Sequence, residues 1–91
     1  MRYRSLPAFE RALRKLEPSR KARVDEAIKR LLIFFETGGL PPGLGLKPLR
    51  KDLWEIRAGL SERILFHRSG DLIELLILGD HDEIRRFLKG L

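Results

Sequence analysis

The chain has 91 residues, no cysteine and a formal net charge of +6. A chain of this length has room for one modest core, so we expect a single domain over residues 1–91 and exclude large two-domain enzymes. The absence of cysteine excludes disulfide frameworks and thiolate zinc sites, and two widely separated histidines do not indicate a metal site. The longest apolar run, residues 31–35, is far shorter than the roughly 20 residues of a membrane span. We therefore expect a cytoplasmic protein that does not bind membranes.

The positive charge is concentrated in the first half of the chain. Residues 1–51 contain thirteen Lys/Arg against five Asp/Glu, whereas residues 52–91 contain six against eight. A basic half of this kind favours an acidic partner, either nucleic acid or an acidic protein. Asn and Gln are also absent from the sequence, a composition that suits a thermophilic source.

The first half of the chain has the pattern of helices. Residues 1–5 are a candidate short strand, and Pro7 is suited to begin a first helix that Pro18 ends. Ser19 is a candidate cap for a second helix that reaches Thr37. That helix carries an apolar stripe at helical spacing, formed by Val24, Ala27, Ile28, Leu31, Leu32 and Phe35. We expect residues 6–37 to form a helical hairpin with a basic outer face, followed by a Pro/Gly connection over residues 40–45.

The second half changes to the alternation of strands. Strands are predicted to start near residues 46–49 and to cover residues 53–57, 63–67 and 72–78, with turns at 58–62 and 69–71. Asp80 and Glu83 have the spacing of a capping box, so they predict the start of a closing C-terminal helix. The predicted fold class is α+β, with the helical hairpin packed on a small antiparallel meander and the last helix closing the domain.

Pairing of the predicted strands brings three chemically active side chains together. Arg57 and Arg63 flank the turn at residues 58–62, so they face each other on one side of the sheet. The following strand runs back antiparallel and ends beside Arg63, and His81 comes directly after it. His67 lies four residues along its strand from Arg63, roughly 13 Å away, and does not join the group.

Two arginines and a histidine suit the cleavage of a phosphodiester. Guanidinium groups bind phosphate and remain charged as negative charge grows in the transition state. Histidine titrates near neutrality and can protonate a leaving oxygen. RNA supplies its own nucleophile, the 2′-hydroxyl, so this chemistry requires no metal ion.

Structural roles are the alternatives for the same residues. Arg57 and Arg63 can pair with Glu55 and Glu62 as an ordinary solvated face. Similarly, His81 and His67 can be surface residues, and Trp54 is a better candidate for the core than for stacking on a base. The pattern alone leaves these alternatives open.

Four segments in order resemble the RelE/ParE superfamily of toxins from type II toxin–antitoxin systems. They are LRKDLWEIR at residues 49–57, RILF at 63–66, GD at 70–71 and GDHD at 79–82. The resemblance is greatest to the RelE-like branch of mRNA interferases. It implies a fold of the microbial-ribonuclease type that works without metal or cofactor. Many members cleave mRNA in the ribosomal A site and are held inactive by a cognate antitoxin protein.

The resemblance also assigns roles to individual residues. Arg57 and Arg63 match positions that bind phosphate and stabilise the transition state, and His81 matches a general acid. Glu55 stands where some members have a lysine that acts as base, and Phe87 stands where others have a functional tyrosine. Lys47, Arg50 and Lys51 are expected to hold the RNA backbone.

Two departures from the pattern bear on catalysis. Glu62 replaces the usual tyrosine of the family. Asp80, Asp82 and Glu83 surround His81 with negative charge, which opposes phosphate binding, whereas the positive end of a helix N-terminus favours it.

Three functions are compatible with these residues. The leading one is an endoribonuclease that leaves a 2′,3′-cyclic phosphate. The second is a ParE-like inhibitor of DNA gyrase, and the third is a family member without catalytic activity that serves as a binding module. All three predict an acidic, amphipathic antitoxin segment that covers the basic surface.

Overall fold

The computed structural model describes residues 1–39 and 43–91. Part of the predicted connection over residues 40–45 therefore lies outside the described residues. Three helices are present in the described ranges, namely α1 (Pro7–Arg14), α2 (Pro18–Thr37) and α3 (His81–Lys89). The same ranges contain five strands, namely β1 (Arg2–Ser5), β2 (Lys47–Arg50), β3 (Leu53–Arg57), β4 (Arg63–Ser69) and β5 (Leu72–Gly79).

All five strands form one mixed sheet in the order β1-β5-β4-β3-β2. Strands β2 to β5 form the predicted antiparallel meander, whereas β1 pairs with β5 in parallel. The prediction of a wholly antiparallel sheet was therefore wrong at this edge. Parallel neighbours need a long crossover between them, and here both α1 and α2 lie in the chain between β1 and β5.

Helix α2 packs its predicted stripe into the core. Val24 and Leu31 are fully buried, and they belong to one apolar cluster with Ile56, Ile64 and Phe66 of the sheet. The predicted boundary was wrong by two residues, because Pro18 is the first residue of α2 and Glu17 precedes it without a side-chain cap. Proline is favoured there because its missing N–H would have no partner in the first turn. Helix α1 contacts β5, and the packing of α1 against α2 as a hairpin stays a prediction.

Helix α3 covers part of the sheet separately from the main core. It contacts β4 and β5, and its Ile84 is buried. Leu65 of β4 is also fully buried, although neither it nor Ile84 belongs to the main cluster. Because Leu65 alternates with Ile64 and Phe66, its side chain points to the other face of the sheet. We infer that α3 buries Leu65 on that face. Among the described residues, no helix is long and apolar enough to cross a membrane.

Glu62 is a charged residue that the fold buries. It is only 4% exposed, and its two carboxylate oxygens accept hydrogen bonds from Nε and Nη2 of Arg20 at 3.0 and 2.6 Å. The hydrogen bond from Arg20 is the largest effect that holds the pKa of Glu62 below its ordinary value of 4.5. This pair connects α2 to the turn between β3 and β4.

The pairing predicts a dependence of stability on pH. Because the pKa of Glu62 is lower in the folded state, the pair stabilises the fold above pH 4.5 and loses this contribution as the pH falls through the folded pKa. We expect Arg20→Met to lower the free energy of unfolding at pH 7, and the deficit to shrink below pH 4.5. Urea unfolding of the wild type and of Arg20→Met at pH values between roughly 2.5 and 7 measures this deficit. A deficit that does not change with pH would contradict this role for Glu62.

Candidate active site

The turn between β3 and β4 places two arginines side by side. Arg57 and Arg63 are direct partners in the β3–β4 ladder, as predicted. Arg63 is also the partner of Gly79 at the end of β5, and His81 begins α3 two residues later. The backbone thus brings Arg57, Arg63 and the start of α3 to one end of the sheet. We refer to Arg57, Arg63 and His81 as the arginine cluster.

Arg63 is held by a buried carboxylate. Its Nη1 donates a hydrogen bond of 2.7 Å to Oε1 of Glu55, and Glu55 is only 4% exposed. The Arg63 side chain itself retains 20% of its accessible surface. The alternative that Arg63 pairs with a neighbouring glutamate is therefore confirmed for Glu55, although the pair is largely buried and not solvated, whereas Glu62 binds Arg20. This arrangement keeps Arg63 partly neutralised and fixed in direction.

Arg57 is exposed, and its guanidinium has no hydrogen bond or ion pair to residues 1–39 or 43–91. Its backbone is nevertheless well fixed, because the Arg57 N–H donates to the carbonyl of Leu44 at 2.8 Å. Leu44 is in turn buried in the core. Arg57 therefore presents an unneutralised positive charge from a rigid backbone, which is the condition for binding an anion at low reorganisation cost.

The predicted capping box fixes the start of α3. The Asp80 side chain accepts from the N–H of Glu83 at 2.8 Å, and the Glu83 side chain accepts from the N–H of Asp80 at 3.0 Å. Two of the three carboxylates around His81 are thus bound to backbone N–H groups. His81 is exposed, and its ring has no hydrogen bond to a described residue. It is free to approach a bound ligand.

The other predicted binding residues are spread over the same half of the molecule. Lys47 is exposed and lies opposite Glu55 in the β2–β3 ladder, and Glu55 is two residues along β3 from Arg57. Arg50 and Lys51 are exposed at the far end of β3, roughly 13 Å from Arg57 at the rise of a strand. Phe87 is half-buried on α3, three residues after the buried Ile84. The structure therefore brings Lys47 to the arginine cluster but leaves Arg50 and Lys51 apart.

A second group of charged side chains, away from the arginine cluster, explains why the otherwise apolar strand β5 contains Glu74. Glu74 accepts from Nε of Arg4 on β1 at 2.9 Å and lies 3.2 Å from Nδ1 of His67 on β4. Hydrogen bonds from Arg4 and then from His67 hold the pKa of Glu74 below its ordinary value. His67 is thus part of a structural ion-pair group, separate from the arginine cluster, as the strand spacing predicted.

A bulge in the β4–β5 ladder allows this pairing. The register shifts between Leu65 and Phe66, so Leu65 faces Ile77 whereas Phe66 faces Leu75. A bulge changes which side chains share a face, and here it places Glu74 opposite His67. In the described part of the chain, no three His, Asp or Glu side chains cluster in a way that could hold a metal ion.

Sequence reasoning missed Gly45, which lies directly against Arg57. A Cβ built on Gly45 would be 3.2 Å from Cγ and 3.3 Å from Cδ of Arg57. The signal was present as the glycine-rich segment at residues 43–45, but nothing in the sequence alone relates that segment to the Arg57 side chain.

Solved structures with this fold include toxins from toxin–antitoxin complexes. No protein-family profile and no curated protein matches the sequence. The RelB–RelE antitoxin–toxin complex from Methanococcus jannaschii matches with a TM-score of 0.67 and 18% identity, over 91% of this chain and 95% of that one. The E. coli DinJ–YafQ complex matches with a TM-score of 0.70 and 14% identity, over 92% of this chain and 98% of that one. The RelBE2 toxin–antitoxin complex from Mycobacterium tuberculosis matches with a TM-score of 0.66 and 21% identity, over 88% of this chain and 96% of that one. The chain therefore has the fold of the RelE-type toxins.

Proposed function

We propose that this protein is a single-domain, cytoplasmic toxin of a type II toxin–antitoxin system that cleaves mRNA on the ribosome. The observation that supports this most strongly is the arginine cluster on a fold of the RelE type. Two arginines are direct partners at the end of the β3–β4 ladder, and the adjacent helix begins at a histidine whose ring has no hydrogen bond to a described residue. This is a set of groups for phosphodiester chemistry that needs neither metal nor cofactor.

The proposed reaction is an internal transfer of the phosphate. The 2′-oxygen of the RNA attacks the adjacent phosphorus, and the bond to the 5′-oxygen breaks. The products are a 2′,3′-cyclic phosphate and a free 5′-hydroxyl. The 2′ proton leaves to solvent, and His81 in its protonated form supplies a proton to the departing 5′-oxygen.

The two arginines have different tasks in this proposal. Arg57 binds the phosphate, because its charge is exposed and forms no ion pair with residues 1–39 or 43–91. Arg63 stabilises the negative charge that builds up on the phosphorane-like transition state. Its single bond to Glu55 uses one of five N–H donors of the guanidinium, so the remaining donors are available to the substrate.

The position of Glu55 suits an orienting partner of Arg63 better than a catalytic base. The sequence resemblance aligns it with a catalytic base, but a carboxylate that is 4% exposed and bound to Arg63 is poorly placed to reach a 2′-hydroxyl. We propose that Glu55 orients Arg63. Lys47, next to the arginine cluster, contacts the RNA backbone, with Arg50, Lys51 and Phe87 as more distant contacts.

A cognate antitoxin is the proposed protein partner. The structures from Methanococcus jannaschii and Mycobacterium tuberculosis were solved as toxin–antitoxin complexes. The uncompensated charge of this chain is positive, so an acidic segment is the complementary partner. Covering Arg57 would remove the exposed charge on which substrate binding depends.

Controlled expression in a bacterial host tests the proposal. We expect growth arrest, with new mRNA ends detected by primer extension within translated regions. Arrest with intact mRNA would contradict RNA cleavage and point to gyrase, which a supercoiling assay with purified enzyme then tests. Soluble, folded protein that causes no arrest would favour a binding module without catalytic activity.

A further inference from the structure

We propose that Gly45 is a positioning residue for Arg57, holding its side chain by providing a surface without a Cβ. This inference rests on the proposed role of Arg57 in phosphate binding. Gly45 lies on the loop that precedes β2, and it continues the β2–β3 pairing, since Leu44 accepts from the N–H of Arg57. Gly45 and Arg57 are therefore neighbours across the end of the ladder.

The close contact is specific to the aliphatic part of Arg57. A Cβ on Gly45 would lie 3.2, 3.3 and 3.6 Å from Cγ, Cδ and Cβ of Arg57. The first two distances are tighter than ordinary van der Waals contact, so the arginine stem packs directly against the bare backbone of Gly45. In the described structure no hydrogen bond or ion pair restrains the guanidinium beyond this stem. The position of the charge then depends on the packing of the stem.

The backbone conformation of Gly45 is a second reason why only glycine fits well at this position. Its φ is +64°, in the left-handed region that L-residues with a Cβ rarely adopt. A substitution at Gly45 therefore combines backbone strain with displacement of Arg57. Other glycines of the chain separate the two effects. Gly43, in the same loop, and Gly70, in the β4–β5 turn, have φ values of +80° and +59°, and a Cβ on either would meet nothing within 4 Å.

Three variants test the inference, namely Gly45→Ala with Gly43→Ala and Gly70→Ala as matched controls. All three carry the strain of a left-handed alanine, but only Gly45→Ala strikes Arg57. We expect Gly45→Ala to lower the single-turnover rate of cleavage on programmed ribosomes about tenfold or more, because misplacing a catalytic group by under 1 Å is costly. The KM for the ribosome should change little. The controls should stay within about twofold of the wild-type rate, since strain alone acts on stability.

A readout independent of activity follows the Arg57 side chain itself. We expect the Nε–Hε resonance of Arg57 in ¹⁵N NMR spectra to shift in Gly45→Ala and to stay in place in the two controls. If the wild-type protein cleaves no RNA, the proposed function fails, whereas this measurement still decides whether Gly45 positions Arg57.

A double variant keeps the test decisive if Gly45→Ala folds poorly. Arg57→Ala removes the stem that the new methyl group would strike, so Gly45→Ala should cost less thermal stability in that background than in the wild type. The remaining loss should equal that of Gly43→Ala. An Arg57 resonance that does not move in Gly45→Ala, or a loss of stability that is the same with and without the Arg57 side chain, would overturn the inference.

Discussion

Arg57→Ala is expected to reduce the rate of mRNA cleavage by about a hundredfold or more while leaving the protein as stable as the wild type. Alanine removes the charge with which Arg57 binds and positions the reacting phosphate, and loss of one preorganised group of this kind costs roughly 10²–10³ in rate. The stability should be preserved because Arg57 is exposed, and its guanidinium has no hydrogen bond or ion pair with any described residue. Its removal therefore leaves no buried partner unsatisfied. Single-turnover cleavage on programmed ribosomes and thermal unfolding measure the two effects.

Two further variants serve as controls for Arg57→Ala. Arg57→Lys keeps the charge but loses the planar pair of donors, so it should recover only part of the rate. Arg14→Ala makes the same change of net charge at an exposed position of α1 and should leave cleavage unchanged. Full activity of Arg57→Ala would show that Arg57 is not needed for cleavage, whereas an equal loss in Arg14→Ala would show that net charge alone governs binding.

The largest effect on stability is expected at the pair of Glu55 and Arg63. Arg63→Met leaves the carboxylate of Glu55 buried without a partner, which should lower the free energy of unfolding by about 3 kcal/mol. For a domain of this size that is a large part of the total stability. Adding Glu55→Leu removes the orphaned charge, so the double variant should recover most of the loss. Urea unfolding at pH 7 measures both changes.

The double variant also separates folding from chemistry. If Arg63 stabilises the transition state, the Glu55→Leu/Arg63→Met protein should be stable and still inactive. If the two substitutions were additive in stability, the pair would not be coupled as the hydrogen bond of 2.7 Å indicates. Activity restored together with stability would mean that Arg63 has only a structural role.

The elements with strong local signals were predicted from sequence. The apolar stripe of α2 and the capping box at Asp80 were confirmed, because helical periodicity and cap spacing are encoded within a few residues. The pairing of Arg57 with Arg63 was also confirmed, since a short turn determines the register of the strands that it connects.

Features that depend on distant parts of the chain were not predicted. The parallel pairing of β1 with β5 joins segments about seventy residues apart, and no local pattern marks it. The partners of Glu74 come from β1 and β4, and the bulge that places it opposite His67 is likewise invisible in the alternation. The contact of Gly45 with Arg57 has the same origin, because it exists only once the loop lies across the end of β3.

The most direct test of the account is cleavage of a defined mRNA by the purified protein on programmed ribosomes, comparing a ribonucleotide with a 2′-deoxynucleotide at the site of cleavage. We expect the all-ribose message to be cut to a 2′,3′-cyclic phosphate and a 5′-hydroxyl, and the 2′-deoxy message to remain intact. Arg57→Ala and His81→Ala should each lower the rate at which the all-ribose message is cleaved. A ribose message that stays intact, or a 2′-deoxy message that is cut equally well, would contradict the proposed reaction at the arginine cluster.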